Sequence, residues 1–290
     1  MTRVVCRQLA PVLGDLEANR QASADAVRDA VAAGAEIVVL PELVTSGYVF
    51  ADRAEAAAAA ITPGHPLFAD WAAAAGRAVV VGGFCERGGD GGLYNSAAVV
   101  DAGGVRAVYR KTHLWDREKL VFDQGDDRPP VVDTAAGRLG VLICYDLEFP
   151  ESTRDLAVRG ADLLVAPVNW PLVDRPAGER PPEVVIAMAA ARVNRVAIAC
   201  CDRAGPERGQ RWTEGTTIID CSGWVAATPG PDGAAVADLD LAASRDKALS
   251  PRNHAFGDRR PELYDGEGPL SSWETGAAGR RRPTNGALVG

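Results

Sequence analysis

Two short segments, GAEIVVLPE at residues 34–42 and GADLLVAPV at 160–168, share one design: a glycine, an alanine, an acid, four apolar residues and a proline. The apolar runs are continuous rather than alternating, so each needs cover on both faces, as a strand in a sheet between two layers does. A segment with helical spacing precedes each run, at residues 16–33 with Asp15 as its cap and at 150–158. Helix, buried strand and proline stop, used twice, predict an α/β protein. A second echo reinforces the first, because AAVVDAGG at 97–104 resembles TTIIDCSG at 216–223, each a strand feeding a glycine turn. Two readings follow: repeated βα units of any α/β protein, or two related halves that face each other.

The rest of the chain fits that frame. A helix is predicted over 66–75 and another over 181–193, with strands over 78–85, 95–101, 105–110, 138–143, 196–201 and 234–239. Short strands over 216–220 and 224–227 make a hairpin around Cys221. Residues 111–130 are charged, aromatic and aperiodic, which predicts a folded loop of functional length. No linker divides the halves, so residues 1–264 are read as one domain with a packed C-terminal extension. Residues 265–290, with Arg280, Arg281 and Arg282, are read as a flexible tail.

Composition narrows the classes. With 290 residues, 47% hydrophobic and 24% charged, the chain can bury one large core. A net charge of −8 argues against nucleic acid as a partner. No run of about 18 uncharged apolar residues is present, so no membrane partner is expected. The N-terminus meets Pro11 before an apolar run of signal-peptide length forms, and the six cysteines suit a reducing compartment. A cytoplasmic location is the expectation.

Chemistry concentrates where strands stop. Glu42 follows Pro41, Lys111 follows a predicted strand, and Cys144 stands between the run VLI and a helix start. Cys144 reads either as an inert buried thiol or as a nucleophile whose thiolate and oxyanion are favoured by backbone N–H groups. Its base is open too. His113 lies two residues past Lys111, and in an extended segment the two side chains share a face, which permits a Cys–His dyad. Alternatively, Glu42 takes the thiol proton and Lys111 stabilises the oxyanion. His65, His113 and His254 have no HxxxH spacing, and no CxxC pair exists, so no metal site is expected.

PELVTSGY around Glu42, RKTHLWDREKLVFDQG around Lys111 and LICYDLEFPE around Cys144 resemble the three signature segments of the nitrilase superfamily of carbon–nitrogen hydrolases, over most of residues 3–264. The resemblance implies a four-layer αββα sandwich. It implies Glu42 as general base, Lys111 as oxyanion-side cation, Cys144 as nucleophile and Glu118 as the second glutamate that orients the site. It also implies an oxyanion contact from the N–H of Tyr145, a pocket bordered by Tyr48, Asn169 and Trp170, and Arg175 as partner for a distal carboxylate, with an ordinary surface role for Arg175 as the alternative.

No cofactor is implied. The expected partners are a small amide or carbamoyl substrate and further copies of the chain, in a homodimer or higher homo-oligomer. In relatives the helices matching 150–158 and 181–193 cross the dimer interface. Tyr145 and Asp146 resemble amidases, whereas nitrile-cleaving members usually carry Trp-Glu there. The reaction implied is hydrolysis of a small linear amide through a Cys144 thioester. The alternatives are an N-carbamoyl amine or amino acid amidohydrolase and, from another class, a non-catalytic scaffold or binding member.

Overall fold

The computed structural model describes residues 1–264, so the tail read over 265–290 lies outside the described residues. The first half runs β1 (Thr2–Arg7), α1 (Leu16–Ala32), β2 (Ile37–Val39), α2 (Arg53–Ala59), α3 (Pro66–Ala75), β3 (Val79–Arg87), β4 (Leu93–Asp101), β5 (Gly104–Arg110) and a single helical turn α4 (Glu118–Val121). The second runs β6 (Val131–Thr134), β7 (Gly137–Val141), α5 (Pro150–Val158), β8 (Leu163–Pro167), α6 (Pro182–Asn194), β9 (Ala197–Cys201), β10 (Thr217–Ile219) and β11 (Val225–Ala227). The chain then returns as β12 (Ala234–Leu239) to the first sheet.

The two six-stranded sheets have orders β12-β1-β2-β3-β4-β5 and β11-β10-β9-β8-β7-β6. In the first, β1, β2 and β3 are parallel, β4 and β5 follow antiparallel, and β12 pairs antiparallel with β1. In the second, β7, β8 and β9 are parallel, β10 and β11 follow antiparallel, and β6 pairs antiparallel with β7. Strand for strand the plans match, and the echoed segments 34–41 and 160–167 occupy equivalent places. The reading of two related halves therefore holds at the level of topology.

Alternation along the strands builds the layers. Ile37 and Val39 of β2, with Val79 and Val81 of β3, share a cluster with Leu163, Val165, Ile198 and Ala199 of the second sheet. Val38, Leu40 and Val80 turn the other way, onto Val27 and Ala30 of α1 and Leu67 and Trp71 of α3. Across the second sheet, Leu156 of α5 and Ala187 and Ala191 of α6 complete the core. The result is a helix, sheet, sheet, helix sandwich. Asp15 caps α1, accepting from the N–H of Ala18 at 3.0 Å, a contact that stabilises a helix by about 1 kcal/mol.

Three elements depart from the sequence reading. The charged stretch from 111 is not all loop, because residues 118–121 close the turn α4. The strand β6 was not expected, since only one pair of its residues, Val131 and Val132, carries an apolar signal. The alanine-rich stretch forms α2, capped by Asp52, which accepts from the N–H of Glu55 at 2.9 Å. Among the described residues after Leu239, up to Tyr264, the chain makes 3-10 turns and the small hairpin β13 (Ala248–Ser250) and β14 (Asn253–His254), as its proline, glycine and charge content suggests. Among the described residues no helix is long and apolar enough to cross a membrane.

Candidate active site

Pro41 ends β2 and throws Glu42 into a tight turn packed on β3. The turn depends on Gly83, where a Cβ would stand 2.4 Å from the Leu43 nitrogen and 2.5 Å from the Glu42 Cα. The same glycine N–H donates to the Pro41 carbonyl at 3.0 Å. Glu42 is thereby fixed with 0% exposure. Lys111 leaves the end of β5, its N–H donating to the Asn95 carbonyl of β4 at 2.9 Å. Its ammonium donates to Glu42 Oε1 at 2.7 Å and to Glu118 Oε1 at 2.8 Å. Asn95 Nδ2 also donates to Glu42 Oε1, at 2.7 Å.

Glu118 is buried in α4. The Tyr48 hydroxyl donates to its Oε1 at 2.6 Å and the Trp115 N–H to its Oε2 at 3.0 Å. Both Glu118 oxygens are thus occupied, whereas Glu42 Oε2 is buried with no hydrogen-bond partner. One carboxylate oxygen in the array is therefore free to accept a proton.

Cys144 follows β7 at the first position of a 3-10 turn, Cys144–Glu148, and its φ of 46° lies in the left-handed region. A non-glycine residue there costs about 1–3 kcal/mol and must be held by its surroundings. Asp146 is the clamp. One of its oxygens accepts from the Ile143 N–H and the Tyr109 hydroxyl, each at 2.9 Å; the other is 2.7 Å from His113 Nδ1. The Cys144 sulfur reaches the Asn169 carbonyl at 3.9 Å, and Asn169 Nδ2 donates to the Glu42 carbonyl at 3.0 Å. Asn169 thus links the two sheets at the site.

The electrostatics follow from burial. Desolvation pushes the Glu42 carboxyl up to about 7, against the pull of Lys111. Burial, then the charge of Glu42, holds the Cys144 thiol well above its ordinary value, so the resting sulfur keeps its proton. Burial pulls the Lys111 ammonium down, but Glu118 and Glu42 outweigh it and hold it well above the usual lysine value. A protonated thiol, a carboxyl pushed up to about 7 and a lysine held as a cation therefore share one buried site.

The structure brings Glu42, Lys111, Glu118, Tyr48, Asn169 and Cys144 into one connected group. Tyr145 is half-buried, its ring edge-on to Trp115 with centroids 4.9 Å apart. Trp170 is buried beside the group, its N–H donating to Asp202 Oδ1 at 3.1 Å. Arg175 stands apart on an exposed loop. His113 does not share a pocket wall with Lys111: β5 ends at Arg110, so the i, i+2 rule for extended chain no longer applies, and the His113 ring stacks on Phe149 at 3.7 Å.

Sequence reasoning missed a second layer. Asp202, directly after β9, accepts from the N–H groups of Trp170, Arg203 and Gly215, and burial pushes its carboxyl up to about 7. Glu207 accepts from the Tyr48 N–H at 2.8 Å and pairs with buried Arg203 at 2.8 Å. Gly47, at φ 79°, leaves room for that carboxylate, since a Cβ would meet Glu207 Oε2 at 2.8 Å. One signal was available for Asn95: it sits two and four residues before inward-facing Ala97 and Val99, so the period-2 pattern already points its amide inward.

Known proteins share this arrangement's sequence and fold. The sequence profile of the carbon–nitrogen hydrolase family matches residues 3–248. A nitrilase of Pyrococcus abyssi is 35% identical over 272 residues, covering 91% of this chain and 99% of its own. An (R)-stereoselective amidase of Pseudomonas sp is 35% identical over 238 residues, covering 81% of this chain and 83% of its own. Among solved structures, a variant of the amidase from Nesterenkonia sp. AN1, with acrylamide added at its active-site cysteine, superposes with a TM-score of 0.75 at 26% identity, covering 91% of this chain and 98% of that one. The family profile spans most of the chain and the similarity runs nearly the full length of these relatives, so the chain belongs to the carbon–nitrogen hydrolase family.

Proposed function

We propose that the protein hydrolyses a small linear amide to a carboxylate and ammonia through a thioester on Cys144. The observation that carries this reading is the buried Glu42–Lys111–Glu118 array with one carboxylate oxygen unpartnered, electrostatically coupled to a protonated thiol. As the Cys144 sulfur bonds to the amide carbon, its proton passes to Glu42. The carbonyl oxygen becomes an oxyanion held by the Lys111 ammonium and the Tyr145 N–H. Glu42 then gives its proton to the nitrogen, the C–N bond breaks and ammonia leaves. Water attacks the thioester while Glu42 takes its proton; the C–S bond breaks and the sulfur is reprotonated. Glu118, fixed by Tyr48 and Trp115, keeps Lys111 in place throughout.

Assembly belongs to the same reading. A groove of about 1070 Å³ runs between α5, α6 and the segment around β13 and β14, with Val158, Val193 and Leu249 exposed along it. A second copy of the chain is the proposed occupant, and light scattering on purified protein tests it, a strict monomer being the contrary result.

The catalytic test measures ammonia from small amides. Cys144→Ala is expected to lower turnover by at least about 10³-fold while circular dichroism and thermal melting stay native-like. Unchanged turnover overturns the mechanism. Release of carbon dioxide with ammonia from an N-carbamoyl amine, in preference to any amide, assigns the carbamoyl reaction instead. No product from either class assigns a binding role.

A further inference from the structure

Beside Glu118 lies a cavity of about 110 Å³ walled in part by five aromatic side chains, Tyr48, Phe50, Trp115, Phe122 and Trp212. The bond-breaking steps use none of these rings. We propose that the cavity seats the acyl side chain of the substrate and selects an uncharged, apolar group of about four to six carbons. This rests on the amidase reading of Cys144 and names its substrate class.

The link to the catalytic group runs through Tyr48 and Glu118, which line the cavity and are themselves hydrogen-bonded at 2.6 Å in the array around Lys111. Trp115 forms the lip. It is 40% exposed, and its ring meets that of Tyr145, the residue after the thiol. The walls are braced edge to face, Tyr48 on Trp212 at 5.2 Å and Phe50 on Phe122 at 6.2 Å, so the cavity is preformed. Its volume falls below the roughly 150 Å³ of a dry cavity that takes benzene, which suits a branched alkyl group or a tightly held ring.

Charge decides against an ionic side chain. Lys111 is shared by two carboxylates, and Arg203 is paired with Glu207 and lies over the Trp212 ring at 4.9 Å. Arg117 is the one guanidinium on the cavity wall; it is exposed, donates to the Ala51 carbonyl at 3.4 Å and stands between Asp116 and Glu118 in the chain. Arg175 is outside. A carboxylate seated among these rings surrenders its hydration, and among the described residues no unpaired buried cation lines the cavity to receive it. A terminal ammonium finds Asp116 exposed, where water competes for it, and Glu118 already paired with Lys111.

The test compares kcat/KM for acetamide, isovaleramide, the half-amide of succinic acid and 4-aminobutanamide. Isovaleramide is expected to exceed both charged amides by at least about tenfold, the discrimination an apolar pocket supplies. A charged amide equal to or better than isovaleramide overturns the proposal while leaving the amidase reading intact. Trp115→Ala retains the backbone N–H that holds Glu118, so it is expected to lower kcat/KM for isovaleramide about tenfold, mainly through KM, and that for acetamide less than about threefold. Equal losses on both substrates, or no loss on either, overturn the assignment of the rings. If none of the four amides releases ammonia, the amidase reading fails, and calorimetry on Cys144→Ala decides the cavity separately: tighter binding of isovaleramide than of the half-amide supports it, and the absence of that preference overturns it.

Discussion

Past β2, the middle parallel strand of the first sheet, stand Pro41 and Glu42; past β8, its counterpart in the second, which ends on Pro167, stand Val168 and Asn169. The two sheets share a strand plan and load its ends differently. The first carries the acid, the cation and the tyrosine; the second carries the thiol, the bridging amide and a buried aspartate. Each half also keeps one carboxyl pushed up to about 7 by burial, Glu42 in one and Asp202 in the other. Their surroundings separate their work: Asp202 receives three backbone N–H groups, whereas Glu42 has an oxygen left over. A duplicated scaffold thus supplies two similar frames, and the side chains at the strand ends decide which frame moves protons.

The sharpest way to break that comparison is Glu42→Gln, expected to cut kcat for amide hydrolysis about 10³-fold, measured by ammonia release. The same variant tests the titration. The folded protein holds the Glu42 proton more tightly than the unfolded chain, whose carboxyl titrates near 4.5. Its share of stability is therefore full below 4.5 and is lost as pH rises through about 7. Glu42→Gln lacks that loss, so its melting temperature relative to the parent is expected to rise between pH 5 and pH 8.

Next in size is Glu207→Ala. It strips the partner from a buried guanidinium and the acceptor from the Tyr48 N–H, and urea unfolding is expected to show a loss of about 3–5 kcal/mol. Asp202→Asn cannot accept from three N–H groups with one carbonyl oxygen. Urea unfolding at pH 8 is expected to show a loss of about 1–3 kcal/mol. Its kcat is expected to fall about ten- to a hundredfold through a displaced Trp170 segment, well short of Glu42→Gln. Equal rate losses for the two carboxyls would erase the distinction drawn here. Smallest is Arg175→Ala, on the exposed loop, expected to change stability by less than about 0.5 kcal/mol. Its kcat/KM is expected to stay within about twofold, in the same assays.

How much of this was legible in the sequence depends on where the signal resides. Buried parallel strands write themselves as unbroken apolar runs, so β2 and β8, their proline stops and the residues just beyond could be read directly. Glu118 came from its motif alone, because a four-residue helical turn leaves no periodicity to find. The bracing by Asp146, Asp202 and Glu207 was not legible. Each has a partner between 32 and 159 residues away, and a lone polar residue near a strand end looks the same whether it braces a neighbour or faces water. His113 shows the converse error, where a rule for extended chain was carried one residue past the strand that licensed it.

The first sheet is closed by a latecomer. β12 pairs with β1 from Thr2↔Leu239 to Arg7↔Ala234, and the Arg3 guanidinium grips Asp238 through two bonds of 2.8 and 2.9 Å. During synthesis the opening strand therefore waits, with one edge bare, while the whole second sheet is made. The sheet bearing the acid therefore cannot be sealed until every strand of the sheet bearing the thiol has been synthesised, and what seals it is a strand that carries none of the site residues.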